Sequence, residues 1–315
     1  MPFWGAVLVW LIVVFLAAFY GIRPGLGGPR FELVLAVAGA LFAFEFFLAV
    51  PRVPEFLLSR VRLEILFVLV PLAAFLIYSA ALHNGMWRTI MGAAYVLTPA
   101  VLLVNCSSKA SVTWKDYLAV VIIWLPVEFR WMYRLFPYPR PLTHTLTILL
   151  ALSTGVVAFV LVRRFEGVGY ALDWRRGYFT TFILLFTAFA AIAIPLGVRI
   201  GFLSWGPSLA RVRYAPLTML GILLFTAWPE EFLFRGLLQN LLSKTVGSSW
   251  LGLFVAAGIF GLSHILHAPF PNWRYVALAS IAGVSYGLAW MRTRSLVPGV
   301  LIHALVDASW HVLFR

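Results

Sequence analysis

The sequence is poor in charge and has almost no cysteine. Charged residues make up 11% of its 315 residues, against roughly 25% in an ordinary soluble domain. The single cysteine, Cys106, cannot form an internal disulfide bond. These two shortages exclude a charge-rich disordered chain and a small scaffold held together by disulfides.

Apolar residues are abundant instead. They make up 63% of the chain, and the aromatic residues alone account for 16%. A water-soluble fold has too little interior to bury such a large share of apolar side chains. The composition therefore predicts an integral membrane protein that crosses the lipid bilayer several times.

The charged residues are divided unevenly between the two signs. Basic residues outnumber acidic ones by 24 to 11, which gives a net charge of +13. The basic residues stand singly or in pairs between apolar runs, which is typical of membrane-protein loops that meet anionic lipid headgroups. Because nucleic-acid-binding proteins cluster their basic residues on one face, we expect a lipid environment and no nucleic-acid partner.

Apolar runs long enough to span a membrane recur along the whole chain. A spanning helix needs about 20 predominantly apolar residues. The candidate segments are 3–22, 31–50, 62–82, 89–105, 116–133, 143–162, 178–200, 215–242, 250–267, 273–292 and 296–314. The sequence thus predicts an all-α fold, a polytopic transmembrane helix bundle of about 11 spans. The first segment has no basic residue before it, so we interpret it as a retained span and not a signal peptide.

Ionisable residues inside apolar segments divide the chain into two regions. Such a residue costs about 3 kcal/mol at the bilayer centre, so it is expected to face the protein interior or a water-filled cavity. Residues 175–315 contain three clusters of this kind, so we treat them as a domain of their own. Residues 1–170 carry no recognisable motif and are predicted to form an N-terminal transmembrane region of unknown role.

The first cluster contains two adjacent glutamates and an arginine. Glu231 and Arg235 are separated by four residues, so they can pair on one face of a helix. Glu230 points about 100° away from Glu231 and stays available for other chemistry. Taken alone, the cluster is equally consistent with charges at a helix end near the membrane surface.

The second and third clusters are built around histidines. His264 and His267 lie three residues apart, whereas His303, Asp307 and His311 form a stripe with a spacing of four. A polar residue near the membrane interface, or a structural hydrogen bond between neighbours, would also produce these patterns. For His267, which is next to a proline-rich loop, we favour the interfacial interpretation.

Taken together, the clusters indicate hydrolytic chemistry. A glutamate with a histidine can activate water, and a further histidine with a hydrogen-bonding partner can stabilise an oxyanion. Alternatively, Glu230, His264 and His303 could bind a divalent metal such as zinc, although the His-Glu-x-x-His spacing is absent. A serine or cysteine hydrolase is disfavoured because Cys106 has no histidine near it in the sequence.

The three clusters resemble the motifs of the CAAX prenyl protease and bacteriocin-processing family, which includes the Ras-converting enzyme and bacterial self-immunity proteins. The family pattern is Glu-Glu-x-x-x-Arg, then Phe-x-x-x-His, then His-x-x-x-Asn or Asp. The matching residues of this sequence are Glu230, Glu231, Arg235, Phe260, His264, His303 and Asp307. The resemblance extends over about residues 175–315.

The resemblance implies a glutamate-type intramembrane endopeptidase that needs no cofactor and cleaves a peptide or membrane protein. It implies that Glu230 and His264 activate the water. His303 and Asp307 would act at the oxyanion. Glu231 and Arg235 would support the site as an ion pair. Asn is common at the last position in the family, and a carboxyl group can donate a hydrogen bond only when it is protonated. We therefore favour an alternative in which Asp307 orients His303.

Two non-enzymatic functions are also compatible with the sequence. One is a self-immunity or scaffold protein that keeps the fold without catalysis, and the other is a transporter that relays protons through buried Glu and His residues. Transport is less favoured because the ionisable residues crowd into one third of the chain and no pair of repeated broken helices is evident. In each case we expect an integral protein of the bacterial inner membrane.

Overall fold

The computed structural model describes residues 5, 7–13, 27–61, 63–106 and 110–314, and they are almost entirely helical. No β-strand is present in these ranges, which confirms the predicted all-α class. The chain forms two compact units. The first contains Met1–Glu166 with Ala171–Asp173, and the second contains Gly167–Tyr170 with Trp174–Arg315.

The first unit is a bundle of apolar helices. Within it, helix α1 packs against α3 and α6, and α4 packs against α5. A short 3₁₀ turn, Trp131–Leu135, follows α5. The helices are α1 (Pro29–Leu48), α2 (Val53–Arg60), α3 (Glu64–Ala81), α4 (Met86–Leu103), α5 (Trp114–Glu128) and α6 (Arg140–Val162).

Several buried charged groups of the first unit have hydrogen-bond partners. Arg163 Nε donates to Asp116 Oδ1 at 2.8 Å, and both side chains are fully buried. Asp116 also accepts from the backbone N–H of Thr113 at 2.7 Å, which caps the start of α5. Ser153 Oγ donates to the buried carboxylate of Glu45 at 3.2 Å. These contacts satisfy charges that would otherwise destabilise an apolar bundle.

The second unit contains five helices, and the predicted site residues lie within this unit. Helix α8 is one long helix that contains the whole of segment 215–242. Its hydrogen bonding widens to a π-helical pattern over Leu223–Ala227 and Phe232–Gln239, on either side of the turn with the two glutamates. Such widenings often occur at functional sites. The helices are α7 (Arg176–Arg199), α8 (Leu209–Val246), α9 (Ser249–Leu262), α10 (Trp273–Thr293) and α11 (Val297–Leu313).

Small residues allow α9 and α10 to pack closely. A Cβ atom at Gly261 would lie 2.6 Å from the carbonyl oxygen of Val276, and one at Gly283 would lie 3.0 Å from Ala257 Cα. Glycine is therefore required for this helix contact, as in many membrane bundles. The close approach places the Phe260 ring of α9 6.0 Å from the Tyr286 ring of α10.

Among the described residues, six helices are long and apolar enough to cross a membrane by length and composition, namely α1, α3, α4, α6, α7 and α8. The predicted number of 11 spans is not confirmed. Segments 116–133, 250–267 and 296–314 form helices of only 15, 14 and 17 residues, and segment 273–292 forms α10, which is not one of the six. Most of segment 3–22 lies outside the described residues.

Two of the shortened helices end for local reasons. Helix α5 ends just before Arg130, whose φ of 57° breaks the right-handed helix. Helix α9 ends before a loop that contains Pro269 and Pro271, and proline cannot continue a helix. The apolar segments of the sequence are therefore longer than the helices they form, because apolar composition does not indicate the residue at which a helix ends.

Candidate active site

Three elements of the second unit carry the six predicted site residues. Helix α8 carries Glu230, Glu231 and Arg235. The turn after α9 carries His264. Helix α11 carries His303 and Asp307, which lie one turn apart. His264, His303 and Asp307 line the same cavity. The structure therefore brings together residues that are far apart in the chain.

Glu231 is the best-connected carboxylate of the cluster. Its side chain is completely buried. One oxygen, Oε1, accepts from Arg235 Nη1 at 3.0 Å and from His303 Nδ1 at 2.8 Å. The structure contains the predicted i,i+4 ion pair with Arg235, and it adds a bond to His303 that the sequence did not indicate.

Arg235 is buried in an environment suited to a cation. Its Nη2 donates to the carbonyl oxygen of Gly283 at 3.3 Å. The guanidinium carbon lies 4.4 Å from the centre of the Phe260 ring and 5.0 Å from that of Tyr286. A carboxylate, a carbonyl and two aromatic faces together offset the desolvation of the charge.

His303 lies between carboxylates on both sides of its ring. Nδ1 bonds Glu231, while Nε2 lies 3.8 Å from Glu230 Oε2 and 3.6 Å from Asp307 Oδ2. The last two distances are longer than a direct hydrogen bond. The partner of Nδ1 is therefore Glu231, while Asp307 lies beside Nε2, and the prediction that Asp307 orients His303 stays a prediction.

His264 has one ring nitrogen engaged by the backbone. Nδ1 lies 2.9 Å from the carbonyl oxygen of Phe260. Because a carbonyl only accepts, Nδ1 carries the proton in this bond, and the neutral ring keeps its lone pair on Nε2. His267 is exposed and stacks on His264 at 5.7 Å, consistent with the interfacial position favoured for it.

Glu230 differs from Glu231 in its exposure. A third of its side chain remains accessible, and its contact in the structure is with His303. The Phe260 ring contacts both imidazoles, at 4.9 Å from His264 and 5.8 Å from His303 between ring centres. Phe260 therefore lies against both histidines, and Glu230 joins them through its contact with His303.

The cluster opens onto an aromatic cavity of about 320 Å³. Apolar walls with a few convergent polar groups are typical of a small-ligand or substrate site. The polar groups here include the imidazoles of His264 and His303 and the carboxylate of Asp307. The aromatic lining consists of Phe186, Phe189, Phe202, Trp205, Phe260, Tyr275, Tyr286, Trp310 and Phe314.

Helix α10 contributes site residues that the sequence analysis missed. The Tyr275 ring lies 4.5 Å from His264, and the Tyr286 ring lies 4.7 Å from His303. The available signal was the spacing of Tyr275, Ala279, Ala282 and Tyr286, which places all four on one helical face. All four line the cavity, but they carry no charge and so did not stand out.

Gly299 is a second missed residue. A Cβ atom there would lie 3.0 Å from Glu231 Oε2 and 3.4 Å from the carbonyl oxygen of Tyr286. The first turn of α11 can therefore approach the buried carboxylate only with glycine at this position. Its local sequence gives no sign of this role, because the carboxylate it approaches lies on another helix.

The metal-binding alternative, with Glu230, His264 and His303 as ligands, stays a prediction. Within the described ranges, no group of three His, Cys, Asp or Glu side chains is arranged to hold a metal ion. Nδ1 of each histidine is occupied, by Phe260 in one case and by Glu231 in the other. Only the two Nε2 atoms would remain as imidazole ligands.

Comparison with known proteins agrees with the sequence motifs. Residues 212–309 match the family model described as type II CAAX prenyl endopeptidase Rce1-like. The matched segment begins in α8, ends in α11 and includes all six predicted site residues, which confirms the resemblance to the CAAX protease family. Searches of curated proteins and of solved structures gave no match to this chain.

Proposed function

On the premise that residues 212–309 form an Rce1-like endopeptidase domain, we propose that the protein is a glutamate-type intramembrane endopeptidase. It hydrolyses a peptide bond of a membrane-associated peptide or protein. The observation that supports this most is the position of His264, His303 and Asp307 on the wall of one apolar cavity, with Glu230 next to His303.

Glu230 and His264 activate the water in this proposal. The accessible part of the Glu230 carboxylate can accept a hydrogen bond from a water molecule, and His264 offers the lone pair of Nε2. As the water oxygen bonds to the scissile carbonyl carbon, its proton passes to one of these groups. The same proton then passes to the leaving amine when the C–N bond breaks.

His303 and Asp307 act where negative charge develops. His303 can donate from Nε2 to the oxyanion, while Glu231 holds Nδ1 at 2.8 Å. Asp307 lies beside Nε2, at the position where the family commonly has Asn. A carboxylate would repel the oxyanion, whereas a carboxyl group that carries a proton, or the amide of Asn, can donate a hydrogen bond to it. Glu231 and Arg235 support the site by fixing His303.

The cavity indicates the kind of substrate. Its walls are mostly aromatic and apolar, so the segment next to the scissile bond is apolar as well. A substrate anchored in or at the bilayer would present such a segment at the depth of the site. We place this activity in the bacterial inner membrane, with a peptide precursor or a membrane protein as substrate.

The proposal can be tested with purified protein reconstituted into liposomes. A library of acylated peptides with apolar residues is incubated with the wild type, with Glu230→Ala and with His264→Ala, and new termini are detected by mass spectrometry. We expect termini that only the wild type produces. Identical termini from the wild type and both variants would refute the assignment, and a folded wild type that cleaves nothing would favour the non-catalytic scaffold.

A further inference from the structure

Tyr286 sets the plane of the His303 ring, and we propose that it is a positioning residue for hydrolysis at this site. The inference rests on the proposed endopeptidase function. Tyr286 belongs to none of the three sequence motifs, and it acts only through His303. Its importance follows from three features of the structure: the ring geometry, the attachment of α10 to α8, and the contrast with Tyr275.

The ring geometry leaves His303 a single orientation. Tyr286 stacks on the imidazole with ring centres 4.7 Å apart and an angle of 13° between the planes. Phe260 meets the same imidazole at 5.8 Å and 82°. The hydrogen bond from Nδ1 to Glu231 fixes one atom of the ring, but a single bond does not fix its plane. The flat contact with Tyr286 does, and it thereby sets the direction of Nε2.

Tyr286 is itself held firmly against the helix that carries the glutamates. Its side chain is buried, with 1% exposed. Arg235 Nη2 donates to the carbonyl of Gly283 at 3.3 Å, and Gln239 Nε2 donates to the carbonyl of Gly287 at 3.2 Å. These bonds attach α10 to α8 on both sides of Tyr286. They therefore fix the position of the Tyr286 ring relative to the two glutamates on α8.

Tyr275 provides the contrast on the same helical face. It lies 4.5 Å from His264, yet its ring is tilted by 58° and does not stack flat on the imidazole. Tyr275 also contacts Phe202 and Trp310, at 5.3 and 5.2 Å, as one member of an aromatic cluster. Tyr286 is therefore the better candidate for a specific orienting role, since only its ring matches the plane of the histidine it contacts.

The test compares kcat and KM for three variants of the reconstituted protein. Tyr286→Phe keeps the flat ring and should retain kcat within about threefold. Tyr286→Leu removes the ring and should lower kcat about 100-fold with little change in KM, because small misplacements at a reacting centre have effects of this size. Trp290→Leu is the matched control: it removes an equally buried ring one turn further along α10, outside the cavity lining, and should leave kcat unchanged.

Several results would overturn the inference. Equal losses of kcat in Tyr286→Leu and Trp290→Leu would show a general effect of core truncation, and a large loss in Tyr286→Phe would show that the hydroxyl matters instead. A change confined to KM would indicate substrate contact. If Tyr286→Leu does not fold, Tyr286→Met takes its place, since its unbranched side chain fills irregular gaps.

A second measurement does not depend on cleavage. With isotope-labelled histidine, the ring protons of His303 should show an upfield NMR shift from the stacked Tyr286 ring, with the signal assigned through His303→Gln. The shift should persist in Tyr286→Phe and disappear in Tyr286→Leu. A shift unaffected by Tyr286→Leu would refute the stack, whereas an intact shift in a wild type without cleavage would refute only the proposed function.

Discussion

Glu231 and His303 are separated by 72 residues in the chain and joined by a 2.8 Å hydrogen bond between Oε1 and Nδ1. The same oxygen accepts from Arg235 at 3.0 Å. One buried carboxylate therefore connects an ion pair within α8 to an imidazole on α11. A substitution at Glu231 should affect both stability and catalysis, whereas a substitution at the more exposed Glu230 should affect catalysis alone.

We expect Glu230→Ala and His264→Ala to abolish proteolysis without unfolding the protein. Glu230 is a third exposed, and in both variants His303 keeps its 2.8 Å hydrogen bond to Glu231, so neither removal leaves that buried imidazole without a carboxylate partner. The measurements are the cleavage rate and the thermal unfolding midpoint of each variant in detergent. His144→Ala is a matched control at an exposed histidine of the first unit, outside the cavity lining, and it should cleave like the wild type. Full cleavage by either active-site variant would contradict the assigned roles.

Glu231→Ala and Arg235→Ala should each lower the free energy of unfolding by about 3–5 kcal/mol, because each leaves a buried charge without its partner. Activity should fall with stability. The measurement is equilibrium or thermal unfolding in detergent. Arg164→Ala is a useful control, because the Arg164–Glu64 pair is one-third exposed on both sides and should contribute about 1 kcal/mol or less. Equal effects at both pairs would contradict the burial argument.

Asp307→Asn should cleave at least as fast as the wild type. Glu231 already orients His303, and Asp307 Oδ2 lies 3.6 Å from Nε2, so an amide can replace it and donate permanently to the oxyanion. The rate should be compared from about pH 5 to 9, the range in which histidine changes charge. A sharp loss at every pH would instead support an anionic Asp307 that orients His303, as the sequence suggested.

Gly299→Ala should destabilise the protein by about 1–3 kcal/mol, the usual effect of overpacking a filled core. The added Cβ would lie 3.0 Å from Glu231 Oε2 and would displace the carboxylate from His303, so kcat should fall as well. Gly258→Ala is the control, because a Cβ there would meet nothing within 4 Å. Alanine exceeds glycine in helix propensity by about 1 kcal/mol, so this variant should be neutral or more stable. The reverse order of stabilities would contradict the packing argument.

The sequence was sufficient for those features that depend on residue type and local spacing. Apolar composition predicted the all-α membrane class, and the spacing of four between Glu231 and Arg235 predicted their ion pair, because residues four apart share a helix face. The three motifs predicted the CAAX protease family, which the match over residues 212–309 confirms. The predicted number of 11 spans is not confirmed, since apolar composition continues past the ends of helices such as α9.

Only the tertiary structure decided which side chains on different helices contact one another in the site. The bond between Glu231 and His303 depends on the approach of α11 to α8, which Gly299 permits, and no local spacing encodes such a distance. The flat contact of Tyr286 with His303 likewise depends on how α10 packs against α8 and α11. A tyrosine in an apolar helix resembles ordinary core in sequence, because its role comes from the orientation of its ring relative to a neighbour and not from its charge.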